Sequence, residues 1–281
     1  MRLQVIEAVC QPAGTVNEDR WGTRDGKAVW VLDGATGIAD ERVLPGPSDA
    51  LWLVEHVDRG LRGRAISGNA PADVLRPIVR QARAAFGKAA LRPDAPTVDL
   101  PGGALAMLRL VETSVELSSL GDCRIVHRDA VGTVACFGTS KVTALDDLLV
   151  EEVVRLQGLG LSQDTIWQRV LPMTRRHRAL ANQPDGYWRL DLDERALEHI
   201  EVERVPARRG DAFLLLSDGF YRLVDVYRRY SYETLLDAAQ RQGVAPLAAE
   251  LRAIEAADPE CRRFPRLKPR DDATAVLVRL A

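Results

Sequence analysis

Three apolar runs of strand length in this chain meet an aspartate at one end, and that pattern constrains any fold the chain can adopt. Ala28-Val29-Trp30-Val31-Leu32 stops on Asp33-Gly34, and Phe213-Leu214-Leu215-Leu216-Ser217 stops on Asp218-Gly219. Asp271-Asp272 stands directly before Ala273-Thr274-Ala275-Val276-Leu277-Val278. β-Branched and aromatic runs of this kind read as buried strands. Their ends therefore carry carboxylates to the edge of the interior, where an acid is costly unless a positive charge lies close. A further acidic pair, Glu18-Asp19, precedes the first of these strands. Single Asp-Gly pairs such as Asp25-Gly26 and Asp185-Gly186 read only as turns. The recurrence at strand ends is what carries weight.

Gathered in one place, Asp19, Asp33, Asp218 and Asp271 would repel one another, and two divalent cations would balance them. The histidines, His56, His127, His177 and His199, are scattered and form no metal-ligand spacing. Oxygen-only donors point to hard ions, Mg²⁺ or Mn²⁺. Two such ions roughly 3.5–4 Å apart can hold a bridging water and lower its pKa, giving a hydroxide suited to in-line attack on a phosphate ester. The cations would also neutralise charge on the phosphoryl oxygens. Acids spread from position 19 to 271 fit no compact calcium loop.

Length and charge narrow the setting. A chain of 281 residues suffices for one large domain or two small ones. A formal net charge of −2 gives no electrostatic case for nucleic acid. Cys10, Cys123, Cys136 and Cys261 lack CxxC pairing, which suits a reducing, cytoplasmic location. Glu7 falls where a signal peptide needs its apolar core. No run approaches the roughly 20 apolar residues of a membrane span, so no membrane partner is expected.

Along the chain, residues 3–10 read as a strand with Leu3, Val5 and Ala8 inward. Ser48 opens an amphipathic helix with Leu51, Val54, Val57 and Leu61 on one face. A second helix over 72–91 places Val74, Ile78, Ala82, Ala85 and Ala89 on one side, with a kink or delay expected at Pro77. Residues 104–110, 114–120, 123–127 and 133–137 read as a four-strand meander. Residues 144–182 form two helical segments separated by Gly158 and Gly160. Strands over 201–205 and 212–216, a helical stretch over 232–257 and a last strand over 273–280 follow. No linker or internal repeat is present. Strands at both ends and helices in pairs argue for one α+β domain over 1–281.

In this order the motifs resemble those of the metal-dependent type 2C protein phosphatases, the PPM family, in its bacterial single-domain form. The matching segments are Asn17-Glu18-Asp19, Val31-Leu32-Asp33-Gly34, Gly121-Asp122-Cys123-Arg124, Leu215-Leu216-Ser217-Asp218-Gly219 and Asp271-Asp272-Ala273-Thr274. Arg209-Gly210-Asp211 is similar to the family's Gly-Asp lead-in. The resemblance implies a four-layer αββα sandwich, a central β-sandwich flanked by helix pairs, with metals at one end. It implies that Asp33 bridges two metals, that the Gly34 carbonyl binds one, and that Asp218 and Asp271 ligate the other. It implies that Glu18 and Asp19 hold metal-bound waters, with Asp19 ranked above Glu18 as a metal ligand. Asp33 and Asp218 are thereby the catalytic acids.

Three positions depart from the family pattern. Gly14 stands where an arginine commonly clamps phosphate. Ala35-Thr36-Gly37 lacks the histidine of the animal members. Arg222 replaces an acid that helps hold a third metal, although Asp122 still matches another ligand of that metal. Arg222, one helical turn beyond Asp218, is expected to repel a third ion and to pair with Asp218, Asp122 or a substrate phosphate. Arg20 and the cluster Arg175, Arg176 and Arg178 are candidates for the missing phosphate ligand, and residues 182–188 for a substrate-side loop. The leading expectation is a Mg²⁺/Mn²⁺-dependent phosphatase for phosphoserine and phosphothreonine in proteins, partnered by a Ser/Thr kinase. A small-molecule phosphatase and a catalytically weak phosphoprotein-binding module remain open beside it.

Overall fold

β3 (Ala28–Ala35) is enclosed from Ala28 to Leu32 because both of its faces are covered. Ala28, Trp30 and Leu32 pack outward with helices, while Val29 and Val31 pack inward against a second sheet. Two covered faces are why the run is continuously apolar rather than alternating. The computed structural model describes residues 1–38, 41–64, 66, 69–129, 131–138 and 141–281.

β2 (Arg20–Arg24) joins β3 through Asp25-Gly26, both at positive φ (52° and 62°). That is the backbone of a type I′ hairpin turn, so the turn reading of this Asp-Gly pair holds. β4 (Gly102–Val111), β5 (Ser114–Leu120) and β8 (Glu201–Pro206) complete an antiparallel sheet of order β2-β3-β4-β5-β8. The second sheet has the order β1-β10-β9-β6-β7. It is built from β1 (Leu3–Gln11), β6 (Arg124–Arg128), β7 (Val134–Phe137), β9 (Ala212–Leu216) and β10 (Ala273–Leu280).

The expected four-strand meander is therefore two hairpins in different sheets. The chain leaves β5 at Gly121 (φ 90°) and crosses to the other sheet. A meander and a sheet crossing share the same local turn chemistry, so spacing alone did not separate them. In β1 the register shifts between Val5 and Glu7. This bulge moves the inward set from Leu3 and Val5 to Ala8, which explains the odd spacing of those three.

α1 (Asp49–Gly63) and α2 (Pro71–Ala89) cover the first sheet. Ser48 caps α1, its hydroxyl accepting from Leu51 N–H. Leu51 itself is only half-buried, and Leu53 takes the core position instead. In α2 the buried stripe runs through Leu75, Val79 and Phe86 rather than Ala85 and Ala89, and the helix continues across Pro77. α5 (Asp218–Asp225), α6 (Tyr232–Gln242) and α7 (Ala245–Ala257) cover the second sheet. Gly243 (φ 83°) breaks the expected 232–257 helix in two. The layers are thus αββα, as the sequence resemblance implied. α3 (Lys141–Gly158) and α4 (Gln163–Ala179) stand apart with a small core of their own, against which Leu267 packs.

Leu215 is fully enclosed between the two sheets. Leu215→Ala is expected to destabilise the fold by about 2–5 kcal/mol, from lost transfer energy plus the cavity. Urea denaturation measures it, and a loss within error of zero would contradict an inter-sheet core at this point.

Candidate active site

β3 and β9 belong to different sheets, yet their ends are joined. The Asp218 backbone N–H, at the first turn of α5, donates to Asp33 Oδ2 at 3.2 Å. Asp33 continues the inward parity of Val29 and Val31. Its carboxylate therefore emerges between the sheets and faces a helix N-terminus, where negative charge is favoured. Burial, and then the charges of Asp218, Asp19, Asp122 and Asp271, push the Asp33 carboxyl well above the usual range.

Asp19 is buried, and neither carboxylate oxygen has a hydrogen-bond partner, although the Thr274 and Ser217 hydroxyls stand nearest. Burial first, and Asp218 and Asp272 next, raise its carboxyl well above normal. Asp122 enters from the sheet crossing and is pushed up to about 7 by burial and by Asp218 and Asp146. Asp146, on α3, is likewise pushed up to about 7 by burial and Asp218. Sequence reading missed Asp146, since an acid inside a helical stretch carries no strand-end signal. Asp218 is also raised, by burial and Asp271.

Asp271 behaves differently. Burial alone would raise it, but the Lys268 ammonium (3.3 Å) and the Arg222 guanidinium (2.7 Å) hold its carboxyl below the usual range. Arg222 does lie one turn beyond Asp218 on α5, as expected, but its ion-pair partners are Asp271 and, at 4.0 Å, Glu255. Neither Asp218 nor Asp122 pairs with it, because the start of β10 reaches the guanidinium first. Lys268 was not anticipated.

Two hydrogen-bonded clamps position the 12–19 loop. Asp272 accepts from Ala13 N–H (2.6 Å) and Glu18 N–H (2.5 Å). The Glu18 carboxylate accepts from the Thr36 hydroxyl at 2.6 Å and from Ser48. Gly219 is required by close approach: a Cβ there would lie 1.9 Å from the Asp272 carbonyl oxygen.

Among the described residues, no group of three His, Cys, Asp or Glu side chains stands ready to hold a metal ion. The donor chemistry nonetheless fits hard divalent cations. The ligands are all oxygens, Asp19 offers two orphaned buried oxygens, and Asp33 sits among four other acids.

No protein-family model and no curated protein matches the sequence. Solved structures do match. One is PppA, described as a key regulatory component of T6SS in Pseudomonas aeruginosa, at TM-score 0.60 and 16% identity, over 100% of this chain and 99% of that one. Another is the Mycobacterium tuberculosis serine/threonine phosphatase PstP/Ppp, at TM-score 0.57 and 21% identity, over 100% and 99%. A third is the catalytic domain of PstP in complex with two manganese ions, at 0.54 and 20%, over 99% and 98%.

The chain has the fold of the PPM-type serine/threonine phosphatases.

Within that fold, the candidate phosphate ligands fare unequally. Arg20 is occupied: it donates to the Asn17 and Asp19 carbonyls (3.0 and 2.7 Å) and pairs with Glu55 at 2.9 Å. Arg175 and Arg176 are exposed, whereas Arg178 turns inward. A Cβ at Gly14 would meet nothing within 4 Å. In the 182–188 loop, Trp188 stacks on His199 with centroids 3.5 Å apart, and Tyr187 is buried beside Arg178 and Arg189. Gly210-Asp211 lies at the far end of β9, where Asp211 accepts from Arg208 N–H at 3.0 Å and shapes a turn.

Two outcomes follow from these electrostatics. Asp19, Asp33, Asp122, Asp146 and Asp218 bind protons more tightly folded than unfolded. Between about pH 4 and about 7, the folded state therefore holds more protons, and stability falls as pH rises. Asp271, with its lowered pKa, acts only at about pH 4 and below, whereas His127 and His177, whose imidazoles burial holds low, oppose the trend as two groups against five. Chelator-treated protein is expected to melt at a higher temperature at pH 5 than at pH 7.5, with a smaller difference in Asp122→Asn. A flat profile would mean that the acids do not crowd. Separately, Arg222→Met should tighten Mn²⁺ binding several-fold in calorimetry, since the cation no longer competes with a guanidinium for Asp271. Weaker binding would show instead that Arg222 organises the carboxylate.

Proposed function

We propose that the chain, as one catalytic domain over 1–281, is a metal-dependent phosphatase that removes phosphate from phosphoserine and phosphothreonine in proteins. The observation that carries this reading is the meeting of Asp33 and Asp218 from opposite sheets, with Asp19, Asp122 and Asp271 in electrostatic range. The PPM fold supports it.

On this reading, Asp19, Asp33, the Gly34 carbonyl, Asp218 and Asp271 would hold two Mg²⁺ or Mn²⁺ ions, and Glu18 would orient their water shell. When bound, the cations supply the acidity that ionises a water near neutral pH and offset charge on the phosphoryl group. The chain's own residues set the geometry. The Asp218 N–H fixes one Asp33 oxygen. Asp272 holds the loop that carries Glu18 and Asp19. A Ser/Thr kinase would supply the substrate, in the cytoplasm. No helix among the described residues is long and apolar enough to cross a membrane.

One observation favours a second reading. Arg222 and Lys268 already neutralise Asp271, as in a catalytically weak protein that binds phosphoproteins without turning them over. Hydrolysis of an aryl phosphate and of a phosphothreonine peptide, with and without Mn²⁺, separates the two. Asp33→Asn and Asp218→Asn should each lower Mn²⁺-dependent hydrolysis at least about a hundredfold while circular dichroism stays native. Full activity in either variant, with Mn²⁺ still bound, would contradict the assignment. No turnover of either substrate by the wild type would favour the binding module.

A further inference from the structure

Arg178 and Arg189 lie within electrostatic range of each other, with Asp146 in range of Arg178, and neither forms a salt bridge among the described residues. Arg189 is 4% exposed, and its Nε is buried without a partner. Its Nη2 donates only to the Leu100 carbonyl, at 3.3 Å. The Arg178 side chain has no hydrogen bond among the described residues, and its Nη1 is buried and unpartnered. Burial, and then the charge of Arg189, hold the Arg178 guanidinium below its ordinary pKa. Asp146 and Glu18 act on it only from a distance.

The fold brings this pair to the reactive end of the sheets. Leu190 and Gly103 exchange two backbone hydrogen bonds, both 2.8 Å, so the loop after α4 lies along the start of β4. Gly103 is in turn paired with Gly34. Leu190, the neighbour of Arg189, therefore sits two strand spacings, about 10 Å, from Gly34, within reach of a long side chain plus one phosphate. The guanidinium lies flat over Gly102, where a Cβ would fall 2.5 Å from its Cζ and Nε. Asn182, at positive φ (56°), holds the loop in place: its Oδ1 accepts from Arg189 N–H (2.8 Å) and its Nδ2 donates to Asp191 (2.6 Å).

We propose that Arg178 and Arg189 form a cradle for the phosphate monoester of the substrate, supplied by α4 and the loop after it. The inference rests on the phosphatase reading above and names the residues that grip the phosphate in it. One buried and one half-buried cation with open, sheltered donors are costly unless an anion lies between them. Guanidinium forks match phosphoryl oxygens, and charge-assisted bonds to them are short and strong. A purely structural buried arginine looks different in this same molecule. Arg109 directs Nε and Nη2 at Glu116 and Nη1 at the Ile66 carbonyl. The other arginine candidates are unsuited, Arg20 being occupied and Arg175 and Arg176 exposed.

Calorimetric titration of inorganic phosphate into the full chain with saturating Mn²⁺ tests the cradle directly. Arg178→Met and Arg189→Met are each expected to weaken phosphate by about tenfold to a hundredfold. The KM for an aryl phosphate should rise by more than kcat falls. Arg195→Met, at an exposed position paired with Asp193, should change neither. If a methionine variant does not fold, Arg178→Gln and Arg189→Gln read the same loss while keeping a polar side chain. Phosphate affinity equal to wild type in folded variants at both positions overturns the cradle. A chain that hydrolyses the ester with that result retains the phosphatase reading alone. A chain that binds phosphate through both arginines but never hydrolyses it retains the cradle and loses the phosphatase reading.

Discussion

Mutual repulsion among buried carboxylates is the constraint on which the rest of this structure turns. Asp19, Asp33, Asp122, Asp146 and Asp218 all share a sheltered space, and burial is the first reason each resists ionisation. Such a cluster persists only because stronger forces fix its members. The inter-sheet core of Val29, Val31, Phe213, Leu215, Val276 and Val278 holds the three acid-bearing strands in place. At roughly 1.5–3 kcal/mol for each fully buried side chain, that core outweighs the cost of a few crowded acids left partly protonated.

Within the cluster the charges are handled in two ways. On the Asp271 side, the chain supplies its own cations, Arg222 and Lys268, and the carboxylate is held ionised. Toward Asp19 and Asp33 no such counter-charge hydrogen-bonds the acids among the described residues, and two oxygens of Asp19 are left without partners there. The first arrangement neutralises its acid within the chain; the second leaves its acids crowded. A site that was entirely of the second kind would cost the fold more stability.

The α3–α4 hairpin links to this balance. Its small core of Leu149, Val153, Leu156, Ile166 and Val170 also packs Leu267, the neighbour of Lys268. Asp146 and Arg178, on the hairpin helices, and Lys268, beside Leu267, are therefore all borne by segments that meet in one satellite core, separate from the two that flank the sandwich. A shift of that core would move an acid and two cations relative to Asp218 together. Energetically small packing changes there have a direct electrostatic reading at the site.

Much of the layout was determined by local chemistry that the sequence displays. Continuous apolar runs at 28–32 and 213–216 require strands covered on both faces, and an acid at the end of such a run must lie beside the core. Ser48 as a cap, Gly158 and Gly160 as a break, and Asp25-Gly26 as a turn act through backbone conformation alone, so they too were legible. What depended on distant residues was not. Whether Gly121-Asp122 closed a hairpin or crossed between sheets turned on which strand paired with β6. The partner of Arg222 depended on where β10 began relative to α5. Asp146, Lys268 and Arg189 carried no local mark, because an acid or base inside a helix or loop reads as solvated until tertiary packing buries it. Sequence determined which residues had to be buried; only the tertiary structure decided which charges met, because Coulombic pairing depends on separation in space and not along the chain.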